Sequence, residues 1–178
     1  MIIRGVSRRT FLTGAAGTAA APWIGAPALA QAAPLKVGLM LPYTGTFAKL
    51  GQFIDNGFRL YVEQKGGKLG GRDVSFVQVD DESKPEAGAD NMNRLVGREK
   101  VDLVVGTVHS GVAMAMVKIA RDTNSMLIIP NAGANDATGP RCAPNIFRTS
   151  FSNWQATVPA GKSMYDAGIR NVVTITWR

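Results

Sequence analysis

The sequence contains one cysteine, Cys142, and one histidine, His109, among 178 residues. A single thiol excludes an intrachain disulfide and any CxxC redox or metal motif. Cys142 lies in a proline-rich stretch between Pro140 and Pro144 and reads as a loop residue. With one imidazole in the chain there is no histidine and cysteine cluster of metal-ligand spacing, so no metal or other cofactor is expected. Aromatic residues are scarce, at 7%. The basic residues are scattered singly with no aromatic interleaving, which removes nucleic acid as a partner. No apolar run is long and unbroken enough for a membrane span. Neither a GxSxG turn nor a GxGxxG loop after the first strand is present, so the common α/β enzyme signatures are missing as well.

The first residues do carry a signal. Ser7-Arg8-Arg9-Thr10-Phe11-Leu12 is a paired-arginine motif, followed by a weakly apolar Ala/Gly-rich run ending in Ala28-Leu29-Ala30. Residues 1–32 therefore read as a twin-arginine export signal, cleaved after Ala30 or after Ala32. The expectation is an exported bacterial protein in the periplasm, with no stable membrane insertion after cleavage. The formal charge of +7 is inflated by this segment. Without Arg4, Arg8 and Arg9 the balance is 17 basic to 13 acidic residues, which is ordinary for a single domain of about 146 residues with its own core.

The remaining chain is organised around Val101 to Met116. Asp102 to Val105 is a short β-branched run of the kind that forms a buried parallel strand, and Gly106 ends it. Val112, Ala113, Met116, Val117 and Ala120 then recur at helical spacing, with Ser110 and Gly111 where an N-cap and first turn belong. A hydroxyl and free backbone amides are thus expected at the carboxyl end of a strand. In an open α/β sheet small ligands bind there, and the helix dipole favours an anion. The same residues would also serve as a plain structural cap.

In chain order, Leu35 to Leu41 reads as a buried strand and about Gly51 to Gln64 as a helix with an apolar stripe of Ile54, Phe58, Tyr61 and Val62. Gly66 to Gly71 is a glycine-rich turn that leads into a strand at Val74 to Val79. It follows a helix and lacks a GK[ST] ending, so it is no phosphate loop. Asp80-Asp81-Glu82 is expected to be a solvated strand end, and Ser83-Lys84-Pro85-Glu86 a capping box for a helix ending before Gly97. Met126 to Ile129 is another buried strand, stopped by Pro130, with a loop over Asn131 to Asp136. Ile146 to Thr149 is a short extended segment. Ser152-Asn153-Trp154-Gln155 is a second capping box, opening a helix that contains Pro159, reaches about Ala167 and closes at Gly168. Val172 to Thr176 reads as a strand. The alternation predicts an α/β fold with a doubly wound parallel sheet.

These pieces in this order resemble the periplasmic solute-binding proteins of branched-chain amino-acid-type ABC importers, the type I periplasmic binding fold. The resemblance rests on Val37 to Gly45, Gly66 to Gly71, Val79-Asp80-Asp81 with Lys84 and Pro85, Val104 to Gly111, Ile129 to Ala134 and Asn145 to Gln155. It implies two lobes that close on a ligand. Residues 33–148 would form the N-terminal lobe, and residues 149–178 the crossover with the first helix and strand of an incomplete second lobe. It further implies a receptor that hands a small carboxylate, such as a branched-chain amino acid or an aromatic acid, to a permease and ATPase complex. A sensing module of the same fold is the alternative, and an exported α/β enzyme is less favoured. By this resemblance Ser110 and the backbone of Asn131, Ala132 and Gly133 hold the carboxylate, while Tyr43, His109 and Trp154 stand near the cleft. Amino-acid binders commonly place a hydroxyl residue at or near residue 133, where this chain has glycine.

Overall fold

The computed structural model describes residues 32–175, so the export signal at residues 1–31 and the end of the expected last strand lie outside the described residues. The near-continuous apolar run Leu35–Leu41 forms β1, buried from Val37 onward and paired on both edges. Helix α1 spans Ala48–Gln64, starting three residues earlier than its apolar stripe suggests. The glycine-rich turn holds a two-residue strand, β2 (Lys68–Leu69), antiparallel to β3 (Arg72–Asp80). Helix α2 covers Pro85–Asn93 and continues as one wide π-type turn over Arg94–Arg98. Then follow β4 (Leu103–Val105), α3 (Ser110–Thr123), β5 (Met126–Ile129), a 3-10 turn at Asn135–Thr138, β6 (Ile146–Arg148) and α4 (Asn153–Asp166).

The strands lie in the order β2-β3-β1-β4-β5-β6, all parallel except β2. The chain runs from β1 outward to β3 and then returns across β1 to β4. The strand order therefore reverses between β1 and β4, and their carboxyl ends open the crevice in which such sheets bind ligands. Alternate residues of each strand feed two cores, as the strand period of two requires. Met40, Val104, Leu127 and Ile129 pack with Met92, Leu95, Val112 and Met116 from α2, its following turn and α3. Val37, Leu39 and Val105 face the other way and meet Phe58 of α1 and Phe76. This is the α/β, doubly wound parallel sheet expected from the sequence.

Three local expectations are corrected. Ser83 does not cap α2: it sits at φ 57°, next to Glu82 at φ 49°, and Lys84 is the N-cap residue without a side-chain cap bond. Asp81 is not solvated, because it is turned inward and is fully buried. Residues 172–175 form no strand. They pair with none of the described strands, and Val173 and Ile175 are 90% and 96% exposed. By contrast, the Ser152 capping box forms as expected, with Gln155 N donating to Ser152 Oγ and Ser152 N to Gln155 Oε1. Pro159 is accommodated within α4, and Gly168 follows the helix at φ 81°. No residue of α4 is buried.

Candidate functional site

The site is assembled from the loops at the carboxyl ends of the strands. After β4, Gly106 runs so close to β1 that a Cβ there would stand 2.0 Å from the carbonyl oxygen of Met40. Only glycine lets the two backbones approach this far, and that approach aims residues 107–110 across the crevice. Gly106 N donates to Ile128 O, which ties the same turn to β5 on its other side.

The turn is fixed from below by two buried polar groups. The hydroxyl of Thr107 donates to Asp81 Oδ2, and Ser83 N donates to Asp81 Oδ1 at 2.8 Å. Burial raises the Asp81 carboxyl above its ordinary value, against the Thr107 and Ser83 bonds; the neighbouring Asp80 adds to the rise and His109 opposes it. Asp80 behaves in the opposite way. Its slight burial would raise it, but bonds from the Thr44 hydroxyl and the amides of Glu82, Tyr43 and Thr44 outweigh that and hold it below the ordinary carboxylate value. These two neighbours were read from sequence as one acidic run. The strand period sends them to different places, Asp80 to the loop after β1 and Asp81 beneath the turn after β4.

Ser110 was expected to cap α3, but the cap is His109. Its Nδ1 accepts from Gly111 N at 3.2 Å in extended backbone, so an imidazole does the work usually left to a short hydroxyl or carboxamide. Ser110 is thereby released to be the first helical residue. It is half-buried, and its hydroxyl makes no hydrogen bond to any described residue. A free hydroxyl in the first turn of a fourteen-residue helix is well placed for an anion. The His109 ring also stacks at a tilt against Phe47, with centroids 6.3 Å apart.

The loop after β5 adjoins this turn. Ala132 N donates to Thr107 O at 3.0 Å, and Ala132 and Gly133 are buried. Asn131 O accepts the Ser150 hydroxyl, and Ala134 O accepts from Arg148 Nη1, so the end of β6 and the segment after it hold the loop. His109, Ser110, Asn131, Ala132 and Gly133 thus come together. Tyr43 and Trp154 do not join them directly. The Tyr43 side chain lies by α1, where burial first and the Asp55 carboxylate second push its hydroxyl above its ordinary value. Its backbone N–H donates to Asp80. Trp154 is exposed on the rim of a shallow hollow shared with Asn135, Thr138, Arg148 and Ser152.

Asn153 is the neighbour that the sequence did not reveal. A Cβ on Gly133 would lie 2.2 Å from Asn153 Oδ1, and Asn153 N donates to Gly133 O at 2.8 Å. The signal was the glycine itself, at a place where a side chain was expected. Among the described residues no group of three His, Cys, Asp or Glu side chains gathers as a metal site, and no helix is long and apolar enough to cross a membrane.

Comparison with known proteins identifies the family. A family model described as periplasmic binding protein matches residues 34–177. The Leu/Ile/Val-binding protein homolog 6 of Brucella abortus is 29% identical over 159 residues, covering 89% of this chain and 40% of that protein. The Leu/Ile/Val-binding protein BraC3 of Rhizobium johnstonii is 33% identical over 133 residues. Among solved structures, an ABC transporter solute-binding protein of R. palustris in complex with benzoate is 56% identical, with a TM-score of 0.73, over 76% of this chain and 38% of that one. Another from Rhodopseudomonas palustris, in complex with 3,4-dihydroxybenzoic acid, is 30% identical with a TM-score of 0.70. The chain spans about two fifths of the length of the curated relatives it matches. It belongs to the periplasmic binding protein family, in its type I fold.

Proposed function

We propose that this chain is the carboxylate-holding lobe of a periplasmic receptor that delivers a small organic acid to an ABC importer, and that the acid is aromatic, of the benzoate class. The observation that carries the reading is the free Ser110 hydroxyl at the start of α3, set beside the backbone of Asn131 to Gly133 at the point where strand order reverses. Hydroxyl and amide donors in that position suit a carboxylate, and charge-assisted bonds to it are the strong kind. The aromatic class is supported by the 56% identity to the benzoate-bound relative, well above the 33% and 29% identities to the Leu/Ile/Val-binding relatives.

In this reading Ser110 and the amides of Asn131 and Gly133 take the carboxylate, Ala132 N being bonded to Thr107 O, and His109 keeps the helix start in register. Trp154, exposed on the crossover side, is the aromatic surface this reading assigns to the ring. The receptor has no catalytic role. Permease and ATPase subunits are its partners.

Titration calorimetry with benzoate, 4-hydroxybenzoate and leucine tests it, using the chain joined to the second lobe of the benzoate-bound R. palustris relative. Benzoate is expected to bind more tightly than leucine, and Ser110→Ala to weaken it by about 1.5–3 kcal/mol through loss of a bond to a charged group. Preference for leucine would replace the aromatic class with an amino acid. No effect of Ser110→Ala would remove Ser110 from the site.

A further inference from the structure

We propose that Asn153 contacts the ligand and sets specificity at this site, its carboxamide occupying the space that a side chain on residue 133 would fill. The inference rests on the carboxylate-binding reading above. It starts from a steric fact: a Cβ on residue 133 would be 2.2 Å from Asn153 Oδ1, 3.0 Å from its Cγ and 3.1 Å from its backbone N. A side chain at 133 therefore cannot share this space with the Asn153 carboxamide in its present rotamer, and it would also crowd the Asn153 backbone N. The helix cannot simply step away, because Asn153 N donates to Gly133 O at 2.8 Å and Trp154 N to Asn135 Oδ1 at 3.0 Å. The Ser152 capping box adds rigidity to the same turn.

What the exchange accomplishes follows from the state of the carboxamide. Asn153 is exposed, and its side chain makes no hydrogen bond to any described residue. A neutral group with two N–H donors and one carbonyl acceptor is thus held, free, against a loop whose Ala132 is bonded to the Ser110 turn through Thr107 O. An anion bound at Ser110 and the loop amides gains an N–H donor from Asn153 without a buried cation. Because the group arrives from α4 and not from the loop, it also couples the start of the crossover helix to the occupied site.

Benzoate affinity in the chain joined to the second lobe of the R. palustris relative tests this by calorimetry. Asn153→Ala is expected to weaken benzoate about ten- to a hundredfold, the scale of one bond to a charged group. Asn153→Asp, the same shape with a negative charge facing an anion, is expected to weaken it further. Gly133→Ser alone is expected to lower the melting temperature and the affinity, and adding Asn153→Gly to recover the melting temperature by vacating the space, but not the affinity. If the parent binds benzoate and Ser110→Ala weakens it, but Asn153→Ala and Asn153→Asp leave affinity unchanged, the role of Asn153 is overturned while the carboxylate site stands. If Gly133→Ser needs no partner change, the exclusion itself is wrong. If the parent binds no carboxylate at all, the functional reading fails and this inference with it.

Discussion

Asp81 and Thr107, 26 residues apart, are joined side chain to side chain with neither exposed to solvent. The contact links the end of β3 to the turn that carries His109 and Ser110, so the position of the proposed anion site depends on a buried carboxylate. A buried charge is costly unless its bonds are good, and here both carboxylate oxygens are used. Removing the acceptor strands the Thr107 hydroxyl and the Ser83 amide. Asp81→Ala is expected to destabilise the fold by about 1–3 kcal/mol, read as a shift in the urea midpoint at constant slope.

The pH dependence of the same residue has a definite sign. Since burial raises the Asp81 carboxyl, the folded state holds its proton more tightly than the unfolded chain does. Stability from this group therefore falls as pH rises through its folded value, and the charged form is a penalty near neutrality. Asp81→Asn keeps an acceptor for Ser83 N and removes that penalty. Its melting temperature relative to the parent should be highest near pH 7 and should decline toward about pH 4, where an unfolded carboxyl protonates. A difference that does not vary with pH would mean that Asp81 is not the titrating group.

His109 as a cap makes a separable prediction. Loss of the acceptor in His109→Ala should cost about 0.5–2 kcal/mol, while His109→Asn, with a carboxamide oxygen that can accept from Gly111 N, should recover most of it. Thermal melts of the three proteins decide this. Equal losses in both variants would assign the stabilisation to the Phe47 stacking instead.

The cap also shows where sequence reading stops. Strand and helix alternation was legible because β1, β4 and β5 are short runs of Val, Leu, Ile and Met bounded by Gly or Pro, and because α3 repeats its apolar residues at helical spacing. The turn that carries Ser110 was legible for the same reason, since a strand, a glycine and a helix start follow one another there. Which residue caps α3 was not, because His109 and Ser110 are both able to accept and only the backbone dihedrals choose between them. Nor was the fate of Asp81, since alternation along β3 separates it from Asp80 only once the end of the strand is known. Asn153 was hidden for a stronger reason: it lies 20 positions from Gly133, and nothing local in either stretch records that they touch. The expected strand at Val172 failed because a strand is defined by a partner, and residues 172–175 pair with none of the described strands.

That unpaired segment has a measurable consequence. Val172, Val173 and Ile175 expose apolar surface on a backbone outside the described strands, and α4, preceding them in the chain, exposes Val158, Met164 and Tyr165. Contiguous apolar surface with open backbone groups favours association. Val173→Lys with Ile175→Lys should reduce self-association of the chain, measured by sedimentation velocity, without altering its melting temperature. Unchanged association would place the sticky surface elsewhere, and α1 with exposed Phe53, Leu60 and Tyr61 is the next surface to change.

Gly106 carries the most demanding prediction, because one atom there bears on both fold and site. A methyl group on residue 106 would meet Met40 O at 2.0 Å and Met116 Cε at 3.2 Å. The methionine end can rotate away, but the carbonyl cannot, because Met40 is held in the β1–β3 register opposite Val79. Either β1 and β4 separate at their carboxyl ends, or residues 107–110 turn out of the crevice. Gly106→Ala is therefore expected to cost about 3 kcal/mol or more, the upper range for overpacking, since a backbone clash cannot be relieved by a rotamer. Where the variant still folds, benzoate binding should fall much more than it does for Ser110→Ala, because the whole turn shifts and not one hydroxyl. A folded Gly106→Ala protein with parental stability and affinity would show that the close approach of β1 and β4 does not set the geometry of the anion site.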